Sequence, residues 1–349
     1  MSNHDPAVFV LGAGFSKAAG HPLMAEFADR VIELTSNQSS LLKPEERARF
    51  QKVLDYRWQT SRVYRYLNLD LDNLENLFSI IDMESSLADS DSEARTLRED
   101  LIFVLVKTLE LTLARDSTFE DAIRASKQAS DSTEVRRRRS QSSNPLWQYV
   151  EFAKRLRAHD TIITFNYDTV VEDSLLASGV GPNYGFGQHE WKEVSSELPV
   201  LKLHGSVNFV SDDSGATARV IDQEFLELTT DRYYSEGVPL LIPPTWNKGA
   251  LVGTMQQIWA KASAAIREAS HIRFIGYSLP DTDLSFRYLL ATSLSKNHDL
   301  RSVIVLDPDE ETQQRYRAFI STVLATQGRF TVPGQLTFPD NMNTAFRGL

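Results

Sequence analysis

Residues capable of chemistry follow three apolar runs that lie far apart in this chain, at 8–11, 161–165 and 200–203. These residues are Gly12, Ala13, Gly14, Ser16, Asn166, Asp168 and His204. Glycines let a backbone turn come close to a phosphate group. A carboxamide donates and accepts hydrogen bonds, and an imidazole takes up a proton near neutral pH. The combination predicts a nucleotide site in which Asn166 and His204 form a catalytic pair.

Two later segments add candidate ligands for a nucleotide. Gly276 and Ser278 follow an apolar run at 272–275, and Asp307 follows another at 303–306. A carboxylate at a strand end suits a ribose or the edge of an adenine ring, although a helix cap is an equally good interpretation of Asp307. The predicted cofactor-binding residues are therefore Gly12, Ala13, Gly14, Ser16, Asp168, Gly276, Ser278 and Asp307.

Each of these residues also has a structural interpretation. Asn166 or Asp168 alone could cap a turn, and His204 alone could be a buried histidine with a structural partner. The pattern Gly12-x-Gly14 alone could be a tight turn without a ligand. Their joint occurrence favours function, because the carboxyl ends of parallel strands meet at one edge of a sheet.

Two common nucleotide motifs are incomplete in this sequence. A dehydrogenase fingerprint needs a third glycine where Lys17 stands, and a second strand within about 30 residues. A Walker loop needs Gly-x-x-x-x-Gly-Lys, which the sequence lacks. The glycine loop therefore belongs to neither class.

Six apolar runs predict an α/β fold, a Rossmann-like doubly wound parallel sheet. The runs are short, rich in Val, Ile and Leu, and bounded by Gly, Pro or Asp. The predicted strands span residues 8–11, 161–165, 200–203, 238–242, 272–275 and 303–306. Helical apolar spacing at 169–177, 284–294 and 310–324 indicates crossover helices. Asp281 or Thr282 is predicted to cap the helix near residue 284.

A large helical insertion is predicted between the first and second strands. About 150 residues separate these strands, far more than one crossover requires. Helical spacing appears at 50–54, 71–81 and 97–113. We therefore expect a sheet domain formed by residues 1–36 and 146–349, and an insertion formed by residues 37–145.

Two segments have less regular patterns. Residues 125–144 are rich in Ser, Asp and Gln, so we expect a disordered loop there. The run Arg136 to Arg139 within it could contact nucleic acid or an acidic partner, or could simply be solvated. The glycine-rich segment 179–187 is predicted to form an exposed turn, with stacking of its aromatic rings on a ligand as the alternative.

Composition limits the classes of function. Hydrophobic residues make up 42% and charged residues 24% of the 349 residues, as in ordinary globular proteins. The net charge of −10 disfavours broad nucleic-acid binding. With no cysteine, disulfides, thiolate nucleophiles and Cys-ligated zinc are excluded. Without a bilayer-length apolar run or a signal-peptide pattern, the expected location is cytoplasmic and no membrane partner is expected.

Five motifs, taken in order, resemble the sirtuin superfamily and are similar to its bacterial SIR2-like branch. They are Gly12-Ala13-Gly14-Phe15-Ser16, Phe165-Asn166-Tyr167-Asp168, Leu203-His204-Gly205, Gly276-Tyr277-Ser278-Leu279-Pro280 and Asp307-Pro308-Asp309. The resemblance covers residues 6–36 and 146–325. It implies NAD+ as substrate and catalytic roles for Asn166 and His204. It also implies that the glycine loop, Asp168, Gly276, Ser278 and Asp307 surround the cofactor.

The resemblance further implies an activity. Sirtuin deacylases carry a four-cysteine zinc module, which a chain without cysteine cannot build. SIR2-like proteins without that module resemble NAD+ glycohydrolases of antiphage defence, which form nicotinamide and ADP-ribose and deplete NAD+ in abortive infection. We expect no metal, and control by self-assembly as a homo-oligomer or by a separately encoded defence partner. The alternatives are an NAD-dependent protein deacylase or ADP-ribosyltransferase, and a non-catalytic NAD+ or ADP-ribose binding subunit of a defence complex.

Roles for the site residues follow from that expected reaction. Loss of nicotinamide leaves an oxocarbenium-like ribose, so the site must position water and stabilise charge. Asn166 would orient the water or a ribose hydroxyl. His204 would act as a base or hydroxyl partner, and Asp168 would hold the nicotinamide carboxamide.

Overall fold

The computed structural model describes residues 5–36, 41–64, 70–87, 93–113, 146–187, 191, 194–211, 217–221, 230–235, 237, 239–242, 253–323, 329–331, 338 and 340–349. The predicted loop at 125–144, with its arginine run, lies outside these residues. None of the described helices is both long enough and apolar enough to span a membrane.

A seven-stranded sheet forms the centre of the fold, and its strands pair in parallel. The strands are β1 (Ala7–Leu11), β2 (Thr161–Thr164), β3 (Val180–Asn183), β4 (Ser196–Lys202), β8 (His271–Ile275), β9 (Ser302–Leu306) and β10 (Arg329–Thr331). Their spatial order is β10-β9-β8-β1-β2-β4-β3. The predicted α/β, Rossmann-like fold is confirmed, and β1 lies at the centre of the sheet.

The segment 179–187 contains an edge strand, so the prediction of an exposed turn is wrong. β3 pairs with β4 and tolerates Pro182 because an edge strand can leave one side of its backbone unpaired. Tyr184 is buried. Its ring and that of Phe186 pack edge-on against Phe209, with centroids 4.9 and 5.0 Å away.

The predicted strand at 238–242 does not belong to the parallel sheet, and that assignment is wrong. Its residues form β7 (Pro239–Leu241), which pairs antiparallel with β5 (Gly205–Ser211). A third strand, β6 (Ala218–Val220), pairs with β5 and completes a small sheet of order β6-β5-β7. An apolar run indicates that a strand is buried, but it does not identify the partner or its direction.

Helices account for most of the described chain between β1 and β2, as predicted. They are α1 (Ala13–Ser16), the 3-10 turns Lys17–Ala19 and Met24–Glu26, α2 (Phe27–Ser36), α3 (Pro44–Tyr64), α4 (Leu74–Leu87), α5 (Glu93–Thr112) and α6 (Leu146–Arg155). Helix α5 packs against both α3 and α4. The domain limits at residues 37 and 145 remain a prediction.

The remaining helices follow the later strands. They are α7 (Val170–Ala177), α8 (Thr230–Ser235), α9 (Thr254–Glu268), α10 (Leu284–Leu294), α11 (Glu310–Val323) and α12 (Met342–Ala345). The predicted helices at 169–177, 284–294 and 310–324 are thereby confirmed. Helix α6 packs against α7, and α9 packs against α10.

Buried apolar side chains form two cores that meet near the end of β2. The first core surrounds the parallel sheet and includes Phe9, Phe165 and Phe274. The second joins helices α2 to α5 with the small antiparallel sheet, and it includes Phe78 and Tyr167. The loop after β2 thus contributes one aromatic residue to each core, which holds this loop firmly in place.

Candidate functional site

The glycine loop after β1 packs directly against the loop after β8. The Gly12 N–H donates to the Ile275 carbonyl at 3.1 Å, and the Gly14 N–H donates to the Gly276 carbonyl at 2.9 Å. A Cβ atom on Gly12 would lie 2.5 Å from the Gly276 oxygen, and one on Gly14 would lie 2.7 Å from the Gly276 Cα. Close packing of two backbones therefore requires these glycines. A phosphate-binding role for Gly12, Ala13 and Gly14 stays a prediction.

The carboxamide of Asn166 joins the loop after β2 to the glycine loop. Its Nδ2 donates to the Gly12 carbonyl at 2.9 Å and to the Ser16 Oγ at 3.0 Å. The side chain is buried. These bonds use both N–H donors of the carboxamide. A water or ribose hydroxyl would therefore bind Asn166 by donating a hydrogen bond to its carboxamide oxygen.

His204 lies in the turn between β4 and β5 and is buried. Its Nε2 atom is 3.7 Å from the Asp283 Oδ2. Its ring packs edge-on against Phe165, with the centroids 5.1 Å apart. Since Phe165 directly precedes Asn166, one aromatic side chain connects His204 to the segment that carries the second predicted catalytic residue.

The backbone at His204 is held by β7. The Ile242 N–H donates to the His204 carbonyl at 2.8 Å. Gly205 has φ +78°, and a Cβ atom on it would overlap the Leu240 carbonyl oxygen. The small antiparallel sheet therefore sets the position of the imidazole. This explains why a strand outside the parallel sheet matters to the site.

Asp283 is a site residue that the sequence analysis missed. Its Oδ1 accepts the Phe286 N–H at 3.3 Å and caps α10, and its side chain is almost fully buried. The prediction of Asp281 or Thr282 as the cap is wrong by one or two residues. Thr282 instead donates to Glu75 on α4 at 3.2 Å, and Asp281 pairs with an arginine. One indication of the capping role was present in the sequence, since Asp283 directly precedes the helical segment at 284–294.

Tyr277 links Asp283 to the aromatic side chains of the site. Its hydroxyl donates to the Asp283 Oδ2 at 2.9 Å. Its ring stacks on Phe165 with a centroid distance of 4.0 Å and an interplanar angle of 9°. Burial, and then the Asp283 charge, raise the pKa of Tyr277 well above its usual value. The hydroxyl therefore remains a donor throughout the physiological range of pH.

Asp168 serves as a structural anchor in the described structure. Its Oδ1 accepts the Val170 N–H at 3.0 Å at the start of α7, and its carbonyl accepts the Lys202 Nζ. Lys202 also forms a fully buried ion pair with Glu172 at 2.7 Å. Burial raises the pKa of Glu172, and the Lys202 charge opposes that rise. The position of Lys202 inside the apolar run 200–203 could have indicated a buried ion pair, because a buried lysine needs a charged partner.

Asp307 and Ser278 lie on the opposite side of β1 from Asn166. The buried Asp307 accepts the Asp309 N–H at 2.9 Å, and burial raises its pKa. Asp309, not Asp307, caps α11 by accepting the Thr312 N–H at 2.7 Å. Ser278 is exposed, and its carbonyl accepts the Arg315 Nε at 3.2 Å. These positions are compatible with a ribose contact, which stays a prediction.

The predicted site residues therefore follow strand ends at one edge of the sheet. They form three groups: the glycine loop after β1, the residues after β2 and β4, and the residues after β8 and β9. Asn166 donates hydrogen bonds to both Gly12 and Ser16, and Gly276 packs against the glycine loop while its N–H donates to the Leu306 carbonyl at 2.9 Å. Within the part of the chain that the structure describes, no group of three or more His, Asp or Glu residues could hold a metal ion. The expectation that no metal is used stays a prediction.

Comparisons with known proteins found a matching family model and similar solved structures. Residues 160–325 match the family model of the SIR2-like domain, a stretch slightly shorter than half of the chain. A solved structure described as Sir2Tm bound to a propionylated peptide is 10% identical, with a TM-score of 0.37, and the alignment covers 98% of this chain and 91% of that chain. No curated protein matches the sequence. The SIR2-like part of the sequence resemblance is thus supported over residues 160–325.

Proposed function

We propose that this protein is an NAD+ glycohydrolase that cleaves the nicotinamide–ribose bond. One observation carries the proposal: the hydrogen bonds from Asn166 to Gly12 and Ser16 place a carboxamide on the glycine loop of a Rossmann-like sheet. The SIR2-like match supports it, because residues 160–325 include both Asn166 and His204.

The strand order suggests how NAD+ would lie across the sheet edge. β2 and β4 are on one side of β1, and β8 and β9 are on the other. In our proposal the pyrophosphate lies over the glycine loop, because ligands of open parallel sheets bind at the carboxyl ends of the strands. The nicotinamide riboside then points towards Asn166 and His204, and the adenosine towards Gly276, Ser278 and Asp307.

The proposed reaction is a hydrolysis. The bond from the ribose anomeric carbon to the nicotinamide nitrogen breaks, and its electron pair neutralises the pyridinium ring. A water oxygen forms the new bond to that carbon, while a water proton passes to His204 and then to solvent. Asn166 would orient the water or a ribose hydroxyl through its carboxamide oxygen. Asp168 remains a candidate partner for the nicotinamide amide, with one of its carboxylate oxygens engaged by α7.

In the cell, we propose that this reaction serves antiphage defence by depleting NAD+. Such an enzyme would be toxic to its host unless it were controlled by self-assembly or by a separately encoded partner. The contact between Glu75 on α4 and Thr282, next to Asp283, gives the helices between β1 and β2 a direct connection to the site. A partner or further copy bound to those helices would therefore act on the site residues through α4.

The first test uses purified protein and NAD+, with nicotinamide and ADP-ribose measured by chromatography. Asn166→Ala and His204→Ala should each lower turnover by roughly 100-fold or more if the side chains act in the transition state. His298→Ala is the matched control, because that histidine is exposed. Equal turnover by His204→Ala and His298→Ala would contradict the proposed role of His204.

The second test follows NAD+ in bacteria that express the wild type or Asn166→Ala, with and without phage. We expect infection to lower NAD+ in cells with the wild-type protein and to leave it unchanged in cells with the variant. NAD+ loss that persists with Asn166→Ala would remove Asn166 from the mechanism.

A second candidate function is a non-catalytic NAD+ or ADP-ribose binding subunit. The same two bonds are also compatible with a purely structural role for Asn166, in which case the site would bind NAD+ without cleaving it. Calorimetry that detects NAD+ binding without turnover under all activating conditions would support this alternative. Nicotinamide release that depends on an added acyl-peptide would instead support a deacylase.

A further inference from the structure

We infer that Asp283 is a positioning residue for His204. Its carboxylate holds the proton on Nε2 of the neutral imidazole and stabilises the imidazolium that forms when Nδ1 takes up a proton. The inference deepens the proposed function at the step in which His204 accepts a proton from water. The proposed pairing of the two side chains can nevertheless be measured in the protein without NAD+.

The distance and burial of the two groups support the pairing. The His204 Nε2 lies 3.7 Å from the Asp283 Oδ2, and both side chains are almost completely buried. Away from water, an imidazolium and a carboxylate at this distance attract each other more strongly than on a surface. At 3.7 Å the contact is an electrostatic one, longer than a hydrogen bond, and catalytic contacts of this kind often shorten when the substrate binds.

The carboxylate is itself held in a fixed orientation. Its Oδ1 accepts the Phe286 N–H at 3.3 Å, and its Oδ2 accepts the Tyr277 hydroxyl at 2.9 Å. The tyrosine ring is in turn fixed by stacking on Phe165, which also packs against the imidazole. The histidine, the carboxylate and their two aromatic neighbours therefore form one packed unit.

Tyr167 is the second buried tyrosine beside His204, and Asp283 acts on it as well. Burial raises the pKa of Tyr167 well above its usual value, and Glu75, Asp283 and Asp82 raise it further while Arg98 opposes them. The tyrosine ring lies 6.5 Å from the imidazole ring. The charged groups that act on Tyr167 are thus mainly negative, and Asp283 is the one among them that also lies beside the imidazole of His204.

Asp283 could serve only to cap α10, and one substitution distinguishes capping from the positioning of His204. Asparagine caps helices about as well as aspartate, so Asp283→Asn keeps the cap of α10 but removes the charge. Asp309→Asn is the matched control, because Asp309 caps α11 through the same kind of bond. Asp283→Asn also replaces the Oδ2 acceptor by an N–H donor, so only this variant, with its changes beside the imidazole, should alter His204.

The main experiment is nitrogen NMR of protein labelled with ¹⁵N-histidine. The chain has seven histidines, and the signals of His204 are assigned from their loss in His204→Ala. In the wild type we expect the neutral ring to carry its proton on Nε2. In Asp283→Asn the proton should redistribute towards Nδ1, and the midpoint of the ring's titration should move to lower pH. Asp309→Asn should leave both unchanged.

Kinetics supply a second readout of the positioning role. Asp283→Asn should lower kcat roughly tenfold or more and change KM little, since the carboxylate stabilises a charge that forms only during the reaction. Tyr277→Phe should shift the His204 titration in the opposite direction, to higher pH. It removes a donor from Asp283 and leaves that carboxylate a stronger acceptor.

The outcomes distinguish this inference from the proposed function. Unchanged His204 signals in both Asp283→Asn and Tyr277→Phe would overturn the inference, whether or not the protein cleaves NAD+. Should Asp283→Asn fail to fold, the direction of the Tyr277→Phe shift decides alone. The predicted NMR changes in a protein that never cleaves NAD+ would support the pairing and refute the glycohydrolase proposal.

Discussion

Substitution of Gly276 by alanine tests whether packing between the two glycine-containing loops holds the site together. Gly276 has φ +61°, and a Cβ atom there would overlap the backbone of Gly14 and the Phe15 nitrogen. Two costs therefore add: a left-handed conformation that alanine disfavours, and a steric overlap. The first costs about 1–2 kcal/mol, and the second about 1–3 kcal/mol. We expect Gly276→Ala to lower the free energy of unfolding by about 2–5 kcal/mol.

Alanine substitutions at two other glycines measure the conformational cost and the steric cost separately. Gly179 has φ +82° and open space around its Cα, so Gly179→Ala should show only the conformational cost of about 1–2 kcal/mol. Gly12 has φ −115°, which alanine adopts freely, but its Cβ atom would lie 2.5 Å from the Gly276 oxygen. Gly12→Ala should therefore show only the overlap, about 1–3 kcal/mol.

The assay is urea denaturation of the three variants and the wild type, followed by circular dichroism. The predicted order of destabilisation places Gly276→Ala above each of the other two. If Gly276→Ala costs no more than Gly179→Ala, then the loops can separate without loss, and the packing explanation of Gly12, Gly14 and Gly276 is wrong.

Two further predictions concern buried charges. Lys202→Met should lower the free energy of unfolding by about 3–5 kcal/mol, because it leaves the buried Glu172 without its cation. The double variant Lys202→Met/Glu172→Leu should recover much of this loss in urea denaturation, and no recovery would contradict the explanation. Burial, and then Arg273, lower the pKa of His271 from its usual 6.5, so the unfolded chain binds that proton more readily than the folded one. Stability from this source is present above about pH 6.5 and is lost as the pH falls. The slope of Tm against pH below that value should be shallower in His271→Gln, and a slope equal to that of the wild type would refute the assignment.

The sheet strands beside β1 could be predicted from sequence because they are buried on both faces. Runs such as 8–11 and 303–306 consist of Val, Ile, Leu and Phe without alternation, a pattern that a soluble surface strand does not show. The polar residues that end these runs, including Asn166, were therefore placed correctly at the carboxyl edge of the sheet. Local composition was sufficient here, because the strand end itself determines where the next side chain lies.

The partners of those side chains depended on contacts between remote segments. Asp283 is 79 positions from His204 by their residue numbers, and nothing in the spacing indicates that its carboxylate would lie 3.7 Å from the imidazole. The same is true of β7, whose apolar run predicts burial but not its antiparallel pairing with β5.

The sequence by itself thus determined the fold class, the central strands and the glycine, carboxamide and imidazole of the candidate site. Only the tertiary structure decided which groups orient them: Asp283 and Tyr277 beside His204, and Lys202 beneath the loop of Asp168. The physical reason is that burial follows from local apolar composition, whereas a hydrogen bond or ion pair requires two particular side chains to meet after the whole chain has packed.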